Sequence, residues 1–310
     1  MENLKYSYMT NMWGMIVDFP KIHDFNEWYA HDFGNAAYYL DWDKIFKYYV
    51  GAGFKGIELM FYHVPYIRQF FGTLKDFADF AKERGVEQIT GMFSVAVGSE
   101  ERSKFEEVVN FNQVWIDALH ELGGENLIIM PAGQYYGVGP LSDEQLRNAA
   151  EVMNEIGRRA ADKGITACIH NEFWCAINLY DHEKFLEMTD PRYVSYCLDT
   201  AQLTIMGVDV VDFYDKYHDR VKCFHLKDTT FPNAPDDFRF APGAEFADEG
   251  TRWFWELGAG VVDFKGLWKL MKKYNHRGWV TVETDGTPDP LASLLQSKWY
   301  IDRELSPIYK

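Results

Sequence analysis

Positive charge, cysteine and long apolar runs are what this chain has least of. Its 31 lysines and arginines face 47 aspartates and glutamates, a net charge of −16. That deficit argues against a nucleic-acid partner, because proteins that grip a phosphate backbone present basic patches. The four cysteines, Cys168, Cys175, Cys197 and Cys223, show no CxxC spacing. They read as buried, reduced thiols in strands rather than as a disulfide framework or thiolate metal site. No apolar run approaches the ~20 residues of a membrane span. The opening Met1-Glu2-Asn3-Leu4-Lys5-Tyr6 lacks the basic-then-apolar order of a secretory leader, so a cytoplasmic location is expected. No glycine-rich nucleotide fingerprint follows any apolar run, which counts against a dinucleotide-binding sheet.

What is abundant is aromatic and periodic. The chain carries 10 Trp, 19 Tyr and 23 Phe in 310 residues, more than a core alone calls for, and able to hold flat or sugar-like groups. One phrase recurs: a helix-like stretch, a glycine stop, then a short apolar run. Gly51-Ala52-Gly53 leads to Gly56-Ile57-Glu58-Leu59-Met60, Gly85 to Gln88–Phe93, Gly123-Gly124 to Leu127–Pro131, and Gly164 to Ile165–His170. Later runs are Val194–Asp199, Val221–His225 and Gly278–Glu283. Short apolar runs without clean alternation suit parallel strands covered on both faces. With a first strand near Tyr6–Met15 they make eight strand–helix units, which predicts an α/β fold, a (β/α)₈ TIM barrel in one domain over residues 1–310.

Two connections are too long for plain barrel loops, Asp18 to Trp42 and Thr229 to about Gly260. Both follow a strand and so belong to the C-terminal, catalytic face. The first carries Phe25, Trp28, Tyr29, Phe33, Tyr38 and Tyr39; the second carries Phe231, Phe238, Phe240, Phe246, Trp253, Phe254 and Trp255. They read either as self-packed loops or as a lid, substrate wall or docking surface.

The strand ends carry the chemistry. Strand five finishes His170-Asn171-Glu172, strand six Asp199-Thr200-Ala201-Gln202, strand seven His225-Leu226-Lys227-Asp228 and strand eight Glu283-Thr284-Asp285. In a barrel these ends converge, and several carboxylates brought together need a neutralising cation. Three oxygen donors and one imidazole suit a divalent ion, Mn²⁺ first, with Mg²⁺, Co²⁺ or Fe²⁺ as alternatives. His170 and Glu172 are two apart and face the same side of a strand. Glu172 is expected to bind metal with Asp199, His225 and Glu283, and His170 to act as base or substrate contact; the reverse assignment stays open. Lys227, two from His225, faces inward as a cation for a carbonyl or enediolate, or else is a solvated lysine.

These spans resemble the xylose-isomerase-like barrel superfamily of sugar isomerases, epimerases and inosose dehydratases. The resemblance rests on Leu186–Pro191, Cys197-Leu198-Asp199-Thr200, His225-Leu226-Lys227-Asp228, Glu256–Phe264 and Gly278–Glu283. The His-Leu-Lys-Asp and Leu-Gly-x-Gly-x-x-Asp-Phe spans look most like inosose dehydratases. The aromatic insertions and His170–Trp174 look similar to the large subunit of C-glycoside deglycosidases. The resemblance implies metal ligands at Asp199, His225 and Glu283. The fourth ligand stays open, because epimerases have Glu in strand five and inosose dehydratases a His-rich span. Gln202 stands where many relatives carry a substrate-binding His. Glu58 matches a common position in strand two, read as substrate-binding or as a buried ion-pair partner. Trp174 closes the strand-five span as a further substrate-binding candidate. His170, Lys227 and Glu283 are the catalytic candidates.

The chemistry so implied is proton removal next to a carbonyl, beside a Lewis acid. If a β-substituent then leaves, the enzyme is a lyase on an oxidised cyclic sugar, dehydratase-like or deglycosidase-like; if the proton returns, it is an epimerase or isomerase. The deglycosidase resemblance also implies a small second subunit, and the aromatic loops hint at self-association. A metal-dependent repair endonuclease is disfavoured by the net charge, and a non-catalytic sugar-binding scaffold would bind no stoichiometric metal.

Overall fold

Eight parallel strands close on themselves in chain order: β1 (Leu4–Met9), β2 (Gly56–Met60), β3 (Gln88–Val95), β4 (Asn126–Met130), β5 (Thr166–Ile169), β6 (Val194–Asp199), β7 (Val221–Leu226) and β8 (Gly278–Val282). β8 returns to β1, from Leu4 opposite Gly278 to Tyr8 opposite Val282. The structure, a computed structural model, describes residues 4–10, 41–242, 252–287 and 289–309. Parallel closure brings every strand's C-terminal end to one mouth. The strands are the apolar runs of the sequence because both faces are covered: every residue of β4 is buried. Helices between them lay an apolar stripe on the barrel. Helix Asp143–Ala161 opens with a capping box between Ser142 and Gln145. Helix Pro290–Tyr300 starts with Asp289 as cap and proline in its first turn. Among the described residues, no helix is long and apolar enough to cross a membrane.

The first strand runs over Leu4–Met9, and Thr10 makes the next bond, its amide donating to the Glu58 carbonyl at 3.0 Å; the expected continuation through residues 11–15 lies outside the described residues. Phe25, Trp28, Tyr29, Phe33, Tyr38 and Tyr39 lie outside the described residues, as does Phe246 of the second long connection. Trp42 belongs not to a loop but to helix Trp42–Ala52, where it is buried edge-on to Phe77 at 4.9 Å between ring centroids.

The second connection is self-packed where it is described. Trp253 lies 4.5 Å from Phe173, 5.0 Å from Phe231 and 4.8 Å from Phe238, centroid to centroid. Its return to the barrel is organised by Asp228, fully buried just beyond β7. The Asp228 carboxylate accepts from the backbone amides of Thr229 (2.9 Å), Gly258 (3.0 Å), Gly260 (2.8 Å) and Val262 (3.0 Å). A Cβ at Gly260 would stand 2.2 Å from the Thr229 carbonyl oxygen and 2.4 Å from Asp228 Oδ1, so only glycine admits this approach. The spacing from His-Leu-Lys-Asp to Leu-Gly-x-Gly thus has a structural cause: the aspartate of the first span is the template for the second.

Side chains two apart on one strand share the barrel interior. One step below His170, Asp199 and His225 stand Cys168, Cys197 and Cys223, all buried free thiols.

Asp228→Asn replaces acceptors with an NH₂ group that faces backbone donors. It is expected to destabilise the fold by about 2 kcal/mol, read as a lower urea midpoint with an unchanged slope. An unchanged midpoint would mean that the loop is held by other contacts.

Candidate metal centre and active site

The strand ends place their ionisable side chains in one buried cluster. His170 follows β5, Asp199 ends β6, His225 lies in β7 and Glu283 follows β8. One ligand atom from each lies within 4.8 Å of the others. His170 Nε2 is 3.1 Å from Asp199 Oδ2, and its Nδ1 is 3.2 Å from Glu172 Oε1. His225 Nε2 is 2.6 Å from Glu58 Oε1, and its Nδ1 is 3.0 Å from Glu283 Oε2. Both Nδ1 atoms are buried and stand outside hydrogen-bonding geometry with their carboxylates. An imidazole tied through one nitrogen to a carboxylate, with the other aimed at acidic oxygens, is the arrangement of a metal-ligating histidine. The donor set therefore fits a divalent cation.

Lys227 reaches into the same space. Its Nζ lies 3.0 Å from Asp199 Oδ2, 2.9 Å from Glu283 Oε2 and 2.8 Å from Asp285 Oδ2, and 4.5 Å from the centre of the Phe254 ring. Burial opposes its charge, but Asp199, Asp285 and Glu283 hold the ammonium well above its ordinary value. Burial likewise works against ionisation of Asp199 and Glu283, yet Lys227 holds both below the usual carboxylate range, helped by His170 at Asp199 and by His225 at Glu283. Asp285 goes the other way: burial and the adjacent Glu283 carboxylate push it up to about 7. Burial disfavours charged histidines, but Glu172 and Asp199 raise His170, and Glu58 and Glu283 raise His225 well above the ordinary imidazole value. Five carboxyl groups, Glu58, Glu172, Asp199, Glu283 and Asp285, thus gather around one fixed cation. Two imidazolium protons or one divalent ion, which carry the same charge, each offset two of the charges that remain.

A family profile for the xylose isomerase-like TIM barrel matches residues 46–302. The chain belongs to this family. Among curated relatives, it is 26% identical over 210 residues to an inosose dehydratase of Lacticaseibacillus casei, covering 61% of this chain and 68% of that one. To an inosose dehydratase of Klebsiella pneumoniae subsp. pneumoniae it is 28% identical over 239 residues, covering 70% and 77%. Among solved structures, the probable 3-DHS dehydratase AsbF of Bacillus anthracis superposes with a TM-score of 0.73 at 16% identity, covering 97% of this chain and 99% of that one. The IOLI protein, solved with a binding zinc atom, gives 0.70 at 15% identity with 99% of each chain covered. At those identities the two structures show the fold alone.

Within this xylose isomerase-like barrel the expected residues take distinct positions. Asp199, His225 and Glu283 come together, and the fourth member of the close group is His170. Glu172 stands outside that group: Gln202 Nε2 donates to its Oε2 and the His170 ring flanks its Oε1. From the strand-five span the close group thus takes His170, with Glu172 adjoining its Nδ1. β5 ends at Ile169, so His170 and Glu172 both lie beyond the strand rather than within it. Of the two readings of Glu58, the geometry matches the buried ion-pair partner: it is 1% exposed, with its oxygens on His225 and on Thr281 Oγ1 at 3.2 Å. Gln202 has its amide spent inside the protein, its Oε1 accepting from the Phe173 amide at 2.8 Å, and it shapes the segment after β5 rather than offering a free end to substrate. The half-buried Trp174 gives its carbonyl to the Tyr135 amide at 2.9 Å. Lys227 is 1% exposed and no solvated lysine. Asp285 and Phe254 complete the lysine's surroundings without having been singled out, although Asp285 sits two residues from Glu283, the same spacing that links His225 to Lys227.

Removing the lysine charge should leave three carboxylates facing one another. Lys227→Met is expected to lower the stability of the metal-free protein by about 3–5 kcal/mol, measured by urea unfolding. A loss below about 1 kcal/mol, the worth of an exposed pair, would show that solvent already screens the cluster.

Proposed function

We propose that this chain is a divalent-metal-dependent lyase acting on an oxidised cyclic sugar, with loss of water from an inosose-like ketone as its parent reaction. The observation that carries this reading is the buried His170–Asp199–His225–Glu283 group with the Lys227 ammonium set against it. The inosose dehydratases among its relatives support the substrate class. His170, Asp199, His225 and Glu283 are the residues that would hold the ion. When bound, the ion supplies a Lewis acid that stabilises negative charge on a substrate oxygen.

The chain's own residues do the rest. Glu58 fixes the tautomer and direction of the His225 ring through Nε2. Lys227 holds a positive charge beside the ligands, where it faces the oxygen that becomes an enolate. Glu172, held by Gln202 and outside the ligand group, is the base that takes the proton from the carbon next to the carbonyl. The electron pair of that C–H bond becomes the new C=C bond, the β-hydroxyl leaves, and with one proton it departs as water. In a 3-keto-C-glycoside the same first step would be followed by cleavage of the bond to an aromatic aglycone. The Phe254 ring over Lys227, backed by the Phe173–Trp253 stack, supports such a leaving group as a second substrate class.

Two measurements test the reading. The purified chain is expected to carry about one divalent ion by inductively coupled plasma mass spectrometry, and the Asp199→Ala, His225→Ala double variant none. Equal metal in both, or none in either after soaking with Mn²⁺, would remove the centre. Incubated with Mn²⁺ and a panel of inososes and 3-keto-glycosides, the protein should release water or aglycone; recovery of epimers alone would make it an epimerase.

Glu172→Gln separates base from ligand. As a base, its loss lowers turnover by about 10²–10⁴-fold with metal content intact. Loss of the metal along with the activity would return Glu172 to the ligand set.

A further inference from the structure

The histidines of the metal centre also stand over sulfur. Cys197 is two residues before Asp199 on β6, so its thiol points into the barrel one level beneath that carboxylate. Cys197 Sγ and one nitrogen each from His170 and His225 lie within 4.8 Å of one another, the same closeness that groups both histidines with Asp199 and Glu283. All three residues are buried, with Cys197 wholly inaccessible. Below them the barrel is lined with thiols: Cys223 pairs with Cys197 in register across β6 and β7, just as His225 pairs with Asp199. The two imidazoles therefore lie between a hard oxygen set toward the mouth and a soft sulfur set toward the interior. Carboxylates favour Mg²⁺ and Mn²⁺, whereas thiolate favours Zn²⁺, Cd²⁺ and related ions.

We propose that Cys197, His170 and His225 form a second, lower metal seat for a thiophilic divalent cation such as Zn²⁺ or Cd²⁺, in competition with the upper seat through the two shared histidines. The proposal rests on the reading that His170 and His225 bind metal. Binding breaks the Cys197 S–H bond, releases its proton to solvent and forms a sulfur–metal bond, with no change of oxidation state. An ion so placed is displaced from Asp199 and Glu283, which are left to Lys227 alone. Thiophilic ions then act as inhibitors that a chelator reverses, and Cys197 sets which metals the barrel tolerates.

The test uses the full chain stripped of metal and titrated with Cd²⁺, followed by the ultraviolet sulfur-to-cadmium charge-transfer band and by bound-metal analysis. A saturable band is expected in the wild type. It should vanish in Cys197→Ser and Cys197→Ala, and persist in Cys175→Ser and in the Asp199→Asn, Glu283→Gln double variant. Excess Mn²⁺ should bleach it. Bound Cd²⁺ without the band, or a band that survives in a folded Cys197 variant, overturns the lower seat and leaves the upper one standing. No bound Cd²⁺ in the wild type overturns both. If neither Cys197 variant folds, the ¹¹³Cd resonance of the wild type decides: a downfield, sulfur-ligated position supports the seat, and a nitrogen–oxygen position refutes it.

Discussion

Charge compensation at the mouth of a closed barrel is the constraint on which this molecule turns. Eight parallel strands deliver Glu58, Glu172, Asp199, Glu283 and Asp285 to that mouth, most of them out of water. Isolated carboxylates there would cost several kcal/mol each. Lys227 answers for one charge, through three short contacts. The imbalance that remains is what makes the place a site: protons on two histidines or a divalent ion reduce it by two charges, and the second option brings a Lewis acid with it. In the second half of the barrel the apolar runs of β5 to β8 end where His170, Asp199, His225 and Glu283 join the cluster.

The barrel's period of two turns this into layers. On β6 the order Cys197, Asp199 and on β7 the order Cys223, His225, Lys227 stack a thiol level, a ligand level and a cation level along one wall. Glu58 enters from the far side of the ring, joined to β8 through Thr281, which in turn pairs with Ser7 of β1 at 2.7 Å. A carboxylate that orients a ligand is thus itself held by a hydroxyl network spanning the seam where the barrel closes. Outside the ring, Asp228 performs the analogous task for the loop beyond β7. Because it follows Lys227 directly, the loop template and the site cation are fixed by adjacent residues facing opposite ways.

Much of this was legible in the sequence. The alternation of glycine stops and apolar runs located all eight strands, and the ionisable residue closing each late run identified Asp199, His225 and Glu283, because those signals are local. What stayed hidden was pairing across the barrel. That Glu58 meets His225 depends on a contact 167 residues apart in the chain, and that Gln202 spends its amide on Glu172 and Phe173 depends on how the segment after β5 turns. On type alone Gln202 therefore reads as a substrate contact, and Glu58 stays divided between substrate contact and ion-pair partner. The choice between His170 and Glu172 had the same origin: two residues on one face of a strand are equivalent until the strand's exit angle is known.

The character of the groups at the mouth bears on the fate of the substrate once its proton is gone. Epimerisation by two bases needs an acceptor on one face of the carbon and a donor to carbon on the other. Here the strand-five ligand position is an imidazole rather than a carboxylate, and the remaining carboxylates are engaged: Glu283 and Asp199 by Lys227, and Glu58 by His225. Glu172, held by Gln202 and His170, and Asp285, held by Lys227 and pushed up to about 7, are the carboxyl groups outside that close group. Opposite the developing charge stands an ammonium that three carboxylates keep protonated and that therefore stabilises an anionic oxygen instead of returning a proton to carbon. In the elimination proposed above, a fixed positive charge of this kind serves departure of an oxygen, whereas a second proton donor on the other face of the carbon would serve epimerisation.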